Sequence, residues 1–432
     1  MTSIASWKRI STSNPIIPVV SESAEQHTLI SDTGVSLYDV TMTQESELVR
    51  KAAELRKSMP ISDGGHIITG AQSIFEAPRA GVARFDLNEN LFGASPKTIE
   101  AIKNFTEEVG VQWYNAWMRK ECEIAIAKYS GVRPSQVFVG NGSAETMVLI
   151  AQIFLKAGDE LVTMYPTYRV LPNYAKVYGV NLVEVLHESN FSGDTMPRRL
   201  GEKISARTRM IYLCNPSTFS AKVPKTEIVK LLEKTRKPPH PLVIVDEAYY
   251  DCATYPFTNE TMADKVKDYD NLIVVRTFSK GFALAGLRIG YALCSERVVE
   301  QMNKMFSPLG VGSLAYVGAM AALEDLGYYE DVRKKLEENK KYLTEELRKL
   351  GLEVYPSYAN FMLARFRPGI LNDSGGTKGV WTRLVEKGIY LRNKSVMYSG
   401  TDICHDMIRI TIGKREDCER FIKELRAIMA TL

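Results

Sequence analysis

The feature that most constrains the fold is an alternation of short apolar runs with helical patterns, extending from about residue 115 to residue 310 of the 432-residue chain. The apolar runs predict strands at residues 136–139, 160–164, 181–186, 209–213, 241–245, 271–276 and 288–293. Helical patterns such as 144–156, 168–178 and 225–234 separate them. Near-continuous apolar strands with helices between them are typical of a mostly parallel sheet covered on both faces. We therefore predict an α/β fold in which ligands bind beyond the carboxyl ends of the strands.

Two other parts of the chain have different patterns. After about residue 311, long charged helices at 328–350 and 417–430 flank short strands at 353–355, 360–364, 389–392 and 407–412, which predicts a smaller α+β domain. The first 80 residues contain a Ser-, Thr- and Pro-rich stretch that we expect to be disordered, followed by one amphipathic helix at about 43–59. We predict four segments: an N-terminal extension at 1–80, an arm and small-domain segment at 81–114, a large ligand-binding domain at 115–310 and a small C-terminal domain at 311–432.

Composition limits the classes of partner. The net charge of +4 is spread along the sequence, so it indicates neither a nucleic acid nor an acidic membrane as partner. The five histidines are scattered without metal-ligand spacing, and the six cysteines lack a CxxC pair. Apolar stretches are too short to cross a membrane, and the N-terminus has no signal-peptide pattern. We expect a soluble, cytoplasmic protein.

One run of residues, 277–291, carries most of the chemistry. It follows a predicted strand and contains the amine of Lys280, the hydroxyls of Thr277 and Ser279, and the guanidinium of Arg288. An amine nucleophile forms a Schiff base with an aldehyde, whereas hydroxyls and an arginine fork hold a phosphate. A phosphorylated aldehyde such as pyridoxal phosphate (PLP) needs both functions in one pocket. We therefore predict a PLP site around Lys280.

This site is supported by three residues that follow other predicted strands. Asp246 ends an apolar run, where a carboxylate either caps a helix or pairs with the protonated pyridine nitrogen of PLP. Tyr249 either donates a hydrogen bond to the phenolic oxygen of the ring or is an ordinary core tyrosine. Asn215 is either a second donor to that oxygen or a turn residue before Pro216.

A glycine-containing loop after the first predicted strand is a candidate phosphate cradle. The backbone N–H groups of Gly142, Ser143 and Ala144 open a predicted helix, and a helix N-terminus attracts phosphate. Alone, such a loop is more often a plain strand-to-helix turn, but Thr277, Ser279 and Arg288 strengthen the interpretation as a phosphate site. Tyr168 is placed to stack on the pyridine ring, with a core aromatic as the alternative.

Together these motifs resemble the fold-type I PLP enzymes of the class I/II aminotransferase superfamily, most closely the histidinol-phosphate aminotransferases. The similarity runs from about residue 85 to the C-terminus. It is carried by the Ser-Lys-to-Gly-Tyr run at 279–291, Asp-Glu-Ala-Tyr at 246–249, Asn-Glu-Asn-x-x-Gly at 88–93 and Gly-Asn-Gly-Ser-x-Glu at 140–145. The resemblance implies that 115–310 is the PLP-binding domain of a homodimeric enzyme.

The resemblance also implies a reaction and residue roles. The reaction is transfer of an amino group between an amino acid, or an amino-phosphate such as histidinol phosphate, and a 2-oxo acid. Catalytic roles fall to Lys280, Asp246 and Tyr249, where Lys280 is the general base and acid.

The resemblance assigns further residues to the substrate. Arg409 matches the arginine that binds the substrate carboxylate. Arg392 matches an arginine that helps bind a distal phosphate or other anion. Asn90 belongs to the motif at 88–93 and is assigned to substrate binding. Tyr114 matches an aromatic residue that reaches the cofactor phosphate of the neighbouring subunit, so the active sites would be shared between subunits.

Departures from the family pattern leave two alternatives open. Residues 215–221 keep Asn215 but lose the usual second proline and the glycine, and Trp113 and Asn115 flank Tyr114 where an arginine and a proline are usual. A PLP enzyme that is not a transaminase, such as a decarboxylase, an oxidase or a carbon–carbon bond-forming enzyme, is therefore the alternative. A transcription regulator with an aminotransferase-like domain would need a basic DNA-binding head, and the acidic residues in the helix at 43–59 disfavour it.

Overall fold

The computed structural model describes residues 81–219, 221–252, 255–257, 260–398 and 402–432. The chain divides into two units, 1–61 and 62–432, and every described residue belongs to the second. The predicted helix at 43–59 and the predicted disordered start lie outside the described residues.

The described residues form twelve strands in two sheets. The strands are β1 Ala83–Phe85, β2 Val137–Gly140, β3 Glu160–Tyr165, β4 Asn181–Leu186, β5 Thr208–Cys214, β6 Leu242–Asp246, β7 Leu272–Thr277, β8 Gly290–Cys294, β9 Glu353–Val354, β10 Phe361–Arg365, β11 Ile389–Asn393 and β12 Met407–Thr411. The seven strands predicted before residue 310 are all present, with ends that differ by at most two residues.

The helices of the described residues connect these strands. They are α1 Pro96–Glu108, α2 Ala116–Ser130, α3 Gly142–Phe154, α4 Val170–Val177, α5 Met196–Glu202, α6 Lys225–Thr235, α7 Glu296–Met305, α8 Ser313–Leu323, α9 Leu326–Lys349, α10 Val380–Glu386, α11 Lys394–Met397 and α12 Arg415–Met429. Within the described part of the chain, none of them has both the length and the apolar character that a membrane crossing requires.

The first sheet has seven strands in the order β2-β8-β7-β6-β5-β3-β4. Strand β8 is antiparallel to both of its neighbours, and the other pairs are parallel. Successive side chains of a strand point to opposite faces, and here both faces are apolar. Thus Val243 and Val245 of β6 join one buried cluster with α2, α6 and α8, while Ile244 joins another with α3, α4 and α7. The predicted mostly parallel, doubly covered sheet is confirmed.

The second sheet has five strands in the order β1-β11-β12-β10-β9. Strand β1 is parallel to β11, and the remaining pairs are antiparallel. Its apolar face packs on α9 and α12 in a separate buried cluster. Three residues are too few for a periodic signal, so the sequence did not predict β1. The division into four segments stays a prediction.

The carboxyl ends of β5, β6 and β7 lie side by side, and this brings the predicted site residues together. The register pairs Cys214 with Asp246 and Asp246 with Val275 across the three strands. The backbone N–H of Asn215 donates to the carbonyl of Asp246 at 2.9 Å, which joins the first two strand ends. Residues that follow these strands therefore face one common edge of the sheet.

Candidate active site

Lys280 lies in the turn that follows β7. Its Nζ donates to the carbonyl oxygen of Leu87, just beyond β1, at 2.8 Å. Burial, together with the nearby cation of Arg409, lowers the pKa of Lys280 to about 8. The next residue is tightly packed, since a Cβ on Gly281 would lie 2.5 Å from the Cβ of Asp251. The turn therefore holds, in a fixed place, an amine with a substantial neutral, nucleophilic fraction near neutral pH.

Asp246 ends β6 with a buried carboxylate. Its Oδ2 accepts a hydrogen bond from the hydroxyl of Tyr212 at 2.9 Å, and its Oδ1 accepts one from the N–H of Ala248 at 3.0 Å. Burial raises the pKa of Asp246, and the Tyr212 hydrogen bond opposes that rise. A buried acid of this kind is held as an anion most effectively by a cationic partner, such as a protonated ring nitrogen. Sequence reasoning missed Tyr212, which reads as an ordinary core residue of β5.

Tyr249 is connected to both sheets. Its hydroxyl accepts from Nδ2 of Asn88 at 2.9 Å, while Oδ1 of Asn88 accepts from Thr411 Oγ1 at 3.2 Å. Burial raises the pKa of Tyr249 to about 12, although the Arg409 cation acts in the opposite direction. The phenol therefore keeps its proton at neutral pH and can donate it to an acceptor. The orienting role of Asn88 was not predicted, although its motif was recognised.

Asn215 uses its side chain in a way that the sequence did not predict. Its Oδ1 accepts from the N–H of Val223 at 2.8 Å, and its Nδ2 donates to the carbonyl of Val223 at 3.1 Å. The amide thereby fixes the two ends of the loop that follows β5. One hydrogen of Nδ2 remains for another acceptor, so the predicted contact with the cofactor stays a prediction.

The start of α3 and Arg288 form a concave group of donors. Gly142 has φ of +84°, and a Cβ there would lie 2.7 Å from Nη2 of Arg288. Nη1 of Arg288 donates to Ser279 Oγ at 3.3 Å, and the N–H of Ser279 donates to Thr277 Oγ1 at 3.1 Å. Asn141, which precedes the helix, makes no side-chain capping bond to it. The first amides of α3, at residues 142–144, are thus available to an anion beside a guanidinium.

Tyr168 belongs to the same region. Burial raises the pKa of Tyr168, the charge of Asp246 acts in the same direction, and the cation of Arg288 opposes it. The Tyr168 ring therefore lies within electrostatic range of both Asp246 and Arg288. The neighbouring carbonyl of Thr167 accepts a 2.6 Å hydrogen bond from the hydroxyl of Tyr398.

Two buried arginines lie on adjacent strands of the second sheet. Arg392 of β11 and Arg409 of β12 are directly paired in the strand register. Nη2 of Arg409 donates to the carbonyl of Asp86 at 2.8 Å. Burial, reinforced by the Arg409 charge, lowers the pKa of Arg392 to about 10. Two cations this close attract an anion strongly. A third cation, Lys394, was missed by the sequence reasoning and lies within electrostatic range of both arginines.

Asn90 and Tyr114, the remaining predicted site residues, differ in how deeply they are buried. Asn90 is buried, and its Nδ2 donates to the carbonyl of Gly281 at 2.9 Å, so its amide holds the turn that carries Lys280. Tyr114, in contrast, is 82% exposed. Such exposure is compatible with the predicted contact to a second subunit, which stays a prediction.

Comparison with known proteins identifies the family. The family described as aminotransferase class I and II matches residues 80–425. Histidinol-phosphate aminotransferase 2 of Carboxydothermus hydrogenoformans is 34% identical over 80% of this chain and 90% of that protein. Histidinol-phosphate aminotransferase of Caldanaerobacter subterraneus is 32% identical over 80% of this chain and 93% of that protein. The crystal structure of histidinol-phosphate aminotransferase from Sinorhizobium meliloti, in complex with pyridoxal-5'-phosphate, has a TM-score of 0.74 at 23% identity and covers 87% of this chain and 97% of that one.

Proposed function

Because the chain belongs to the aminotransferase class I and II family, we propose that it exchanges an amino group between an amino acid, or an amino-phosphate such as histidinol phosphate, and a 2-oxo acid. The enzyme is a PLP-dependent transferase. The observation that carries the assignment of the site is the convergence of the Lys280 amine, the Asp246 carboxylate and the donors around Arg288 at one edge of the first sheet.

The residues at this edge fit PLP. The amides at the start of α3, with Arg288 and Ser279, suit a phosphate. The buried carboxylate of Asp246 suits the ring nitrogen, the protonated phenol of Tyr249 suits the phenolic oxygen, and the Lys280 amine suits the aldehyde. When bound, PLP supplies an aldehyde and an electron-withdrawing ring that together acidify the Cα–H bond of an amino acid.

The protein would contribute proton transfer and positioning. Because its pKa is lowered to about 8, Nζ of Lys280 is poised to take the proton from Cα of the donor and to return one to Cα of the acceptor. Arg409 would hold the substrate carboxylate, and Arg392 a distal anion. Asn90 would keep the Lys280 turn in place through its bond to Gly281.

The alternative of a PLP enzyme that is not a transaminase is not favoured. Three relatives that share about a third of the sequence are named as histidinol-phosphate aminotransferases. The altered segment at 215–221 still begins with Asn215 at the end of β5.

We further propose that the enzyme is a cytoplasmic homodimer that binds neither nucleic acid nor membrane. Support for a dimer comes from exposed large apolar side chains on one short segment, Val111, Trp113, Tyr114 and Trp117. In a dimer, Tyr114 would reach the phosphate site of the partner. Sedimentation equilibrium would measure the oligomeric state. A monomer with full activity would exclude active sites that are shared between subunits.

Absorbance spectroscopy tests the proposed reaction directly. Purified protein supplied with PLP should become yellow. Borohydride should then reduce the imine and leave the pyridoxyl group covalently attached to Lys280. Addition of an amino donor should then convert PLP to its pyridoxamine form. A Lys280→Ala variant serves as the control, because it lacks the amine. Release of CO2 or consumption of O2 without formation of the pyridoxamine form would contradict transamination.

A further inference from the structure

Two turns that carry the proposed catalytic residues are in direct contact. The turn at 246–252, after β6, carries the acid and the phenol of the proposed site, and the turn at 278–284, after β7, carries its amine. Gly281 packs so closely on Asp251 that an added Cβ would lie 2.5 Å from the Cβ of Asp251 and 2.8 Å from its carbonyl oxygen. Because part of this contact is backbone, a shift of either turn there would change the distance between the amine and the other two groups.

Asp251 is a buried carboxylate that the proposed reaction does not use. It is 4% exposed, and its Oδ1 accepts a hydrogen bond from the hydroxyl of Tyr129 in α2. Burial raises the pKa of Asp251, while the charge of Arg276 and then the Tyr129 hydrogen bond oppose that rise. Burial also raises the pKa of Tyr129, so the phenol keeps its proton and acts as the donor. The hydrogen bond therefore fastens the first turn to α2.

The ring of Tyr129 reaches the second turn. It meets the ring of Phe282 edge-to-face, with centroids 5.9 Å apart and planes at 76°. Phe282 is buried, and its carbonyl oxygen accepts from the hydroxyl of Tyr329 at 3.3 Å, so its position is fixed from two sides. Tyr129 thus contacts both turns, the first through its hydroxyl and the second through its ring.

We propose that Tyr129 and Asp251 are positioning residues that hold the two turns together and so keep the Lys280 amine aligned with the aldehyde of bound PLP. A ring held by Asp246 at one end brings its aldehyde to a fixed point, and the amine reacts efficiently only if it lies at that point. This inference rests on the proposed function, in which Lys280 is the amine that meets PLP. The competing interpretation is that the pair only stabilises the fold.

Tyr129→Phe removes the hydroxyl but keeps the ring. Its matched control is Tyr269→Phe, because Tyr269 is also buried and its hydroxyl also donates to a carboxylate, that of Glu233. Tyr269 lies before the amino end of β7, whereas the two turns follow the carboxyl ends of β6 and β7. Urea denaturation should show similar losses of unfolding free energy in the two variants.

Uptake of PLP by PLP-free protein, followed by the yellow absorbance at saturating PLP, reports the position of the amine. In Tyr129→Phe the rate at high pH should fall about 10-fold. The midpoint of its pH dependence should not move, because burial and the Arg409 charge, which lower the pKa of Lys280, are unchanged. Asp251→Asn should keep most of the rate, since its side-chain oxygen can still accept from Tyr129.

A second ligand separates the amine from the rest of the site. The compound 4'-deoxypyridoxine 5'-phosphate has the ring and the phosphate of PLP but no aldehyde, so its affinity does not depend on Lys280 as a nucleophile. Calorimetry should show that this affinity changes by less than about 3-fold in Tyr129→Phe.

Gly281→Ala tests the contact from the other side, and it does so even if Tyr129→Phe does not fold. The added Cβ meets the backbone of Asp251, so it should force the turns apart and lower the rate of PLP uptake about 100-fold. The matched control is Gly327→Ala in α9, where an added Cβ meets nothing within 4 Å and the rate should be unchanged.

The proposal would be overturned by a wild-type rate in Tyr129→Phe or Gly281→Ala, by an equal fall in rate in Tyr269→Phe, or by an equal loss of affinity for the aldehyde-free ligand. A moved midpoint, or a large loss of rate in Asp251→Asn, would assign the effect to charge rather than to position and would also count against it. Failure of the proposed function would appear separately, as wild-type protein that stays colourless with PLP.

Discussion

Replacing Gly142 with alanine separates the stability of the fold from the affinity for PLP. Gly142 begins α3 with φ of +84°, and an added Cβ would lie 2.7 Å from Nη2 of Arg288. Gly158 is a matched control because its φ is +87° and an added Cβ would meet nothing within 4 Å. Both substitutions place a side chain in the left-handed region, but only the first one displaces a guanidinium.

The expected magnitudes follow from these contacts. Each alanine should cost about 1–2 kcal/mol of folding stability through its backbone conformation. The clash at position 142 adds little to that cost, because the flexible end of Arg288 can move away. The displaced guanidinium would lose a charge-assisted hydrogen bond to the cofactor phosphate, typically about 1.5–3 kcal/mol. PLP affinity should therefore fall about 10- to 150-fold in Gly142→Ala alone.

Two measurements are needed. Urea denaturation of the PLP-free proteins should show similar losses of unfolding free energy in Gly142→Ala and Gly158→Ala. Equilibrium titration with PLP should then separate the two variants. Wild-type affinity for PLP in Gly142→Ala, or an equal loss of affinity in Gly158→Ala, would contradict a role of the Arg288 guanidinium in PLP binding.

Three further predictions concern charges in the site and in the core. The rate of PLP uptake should rise with pH as Lys280 loses its proton, with a midpoint near the Lys280 pKa of about 8. Arg409→Gln removes a nearby cation and should move that midpoint upward, and an unmoved midpoint would contradict the influence of Arg409. Asp246→Asn keeps the shape of the side chain but removes its charge, so amino transfer should fall by about 10²–10³-fold in a coupled assay while the protein still turns yellow; near-normal turnover would exclude the proposed role. In the wild type, the buried guanidinium of Arg276 lies 2.9 Å from the carboxylate of Glu247. Glu247→Ala removes this carboxylate and should lower the free energy of unfolding, measured by urea denaturation, by about 3–5 kcal/mol. Adding Arg276→Met should recover part of that stability, and no recovery would argue against the ion pair.

The sequence was most informative where the decisive contacts are local. The ends of the predicted strands lie within two residues of the observed ends, because β-branched runs between helical patterns indicate strands that are buried on both faces of a sheet. The run at 277–291 contains the amine, hydroxyls and guanidinium within a few residues, so its chemistry could be inferred before the fold was known. The predicted roles of these residues toward PLP stay predictions.

Long-range contacts account for what the sequence reasoning missed. Tyr212 reaches Asp246 only because β5 and β6 are adjacent and in register. Asn88 reaches Tyr249 across 161 residues of sequence. The side-chain amide of Asn215 holds Val223, which the local motif could not reveal, while its expected contact with the cofactor stays a prediction.

The sequence by itself determined the fold family, the order of the strands along the chain and the group of residues suited to PLP, because periodicity and short motifs are encoded in neighbouring positions. Only the tertiary structure decided that Arg409 lies beside Arg392 on adjacent strands, and that Lys394 lies 4.2 Å from the ring centre of Phe219. These contacts depend on the pairing of β11 with β12 and on the loop after β5, and they arise from the packing of distant segments, which has no local signal in the chain.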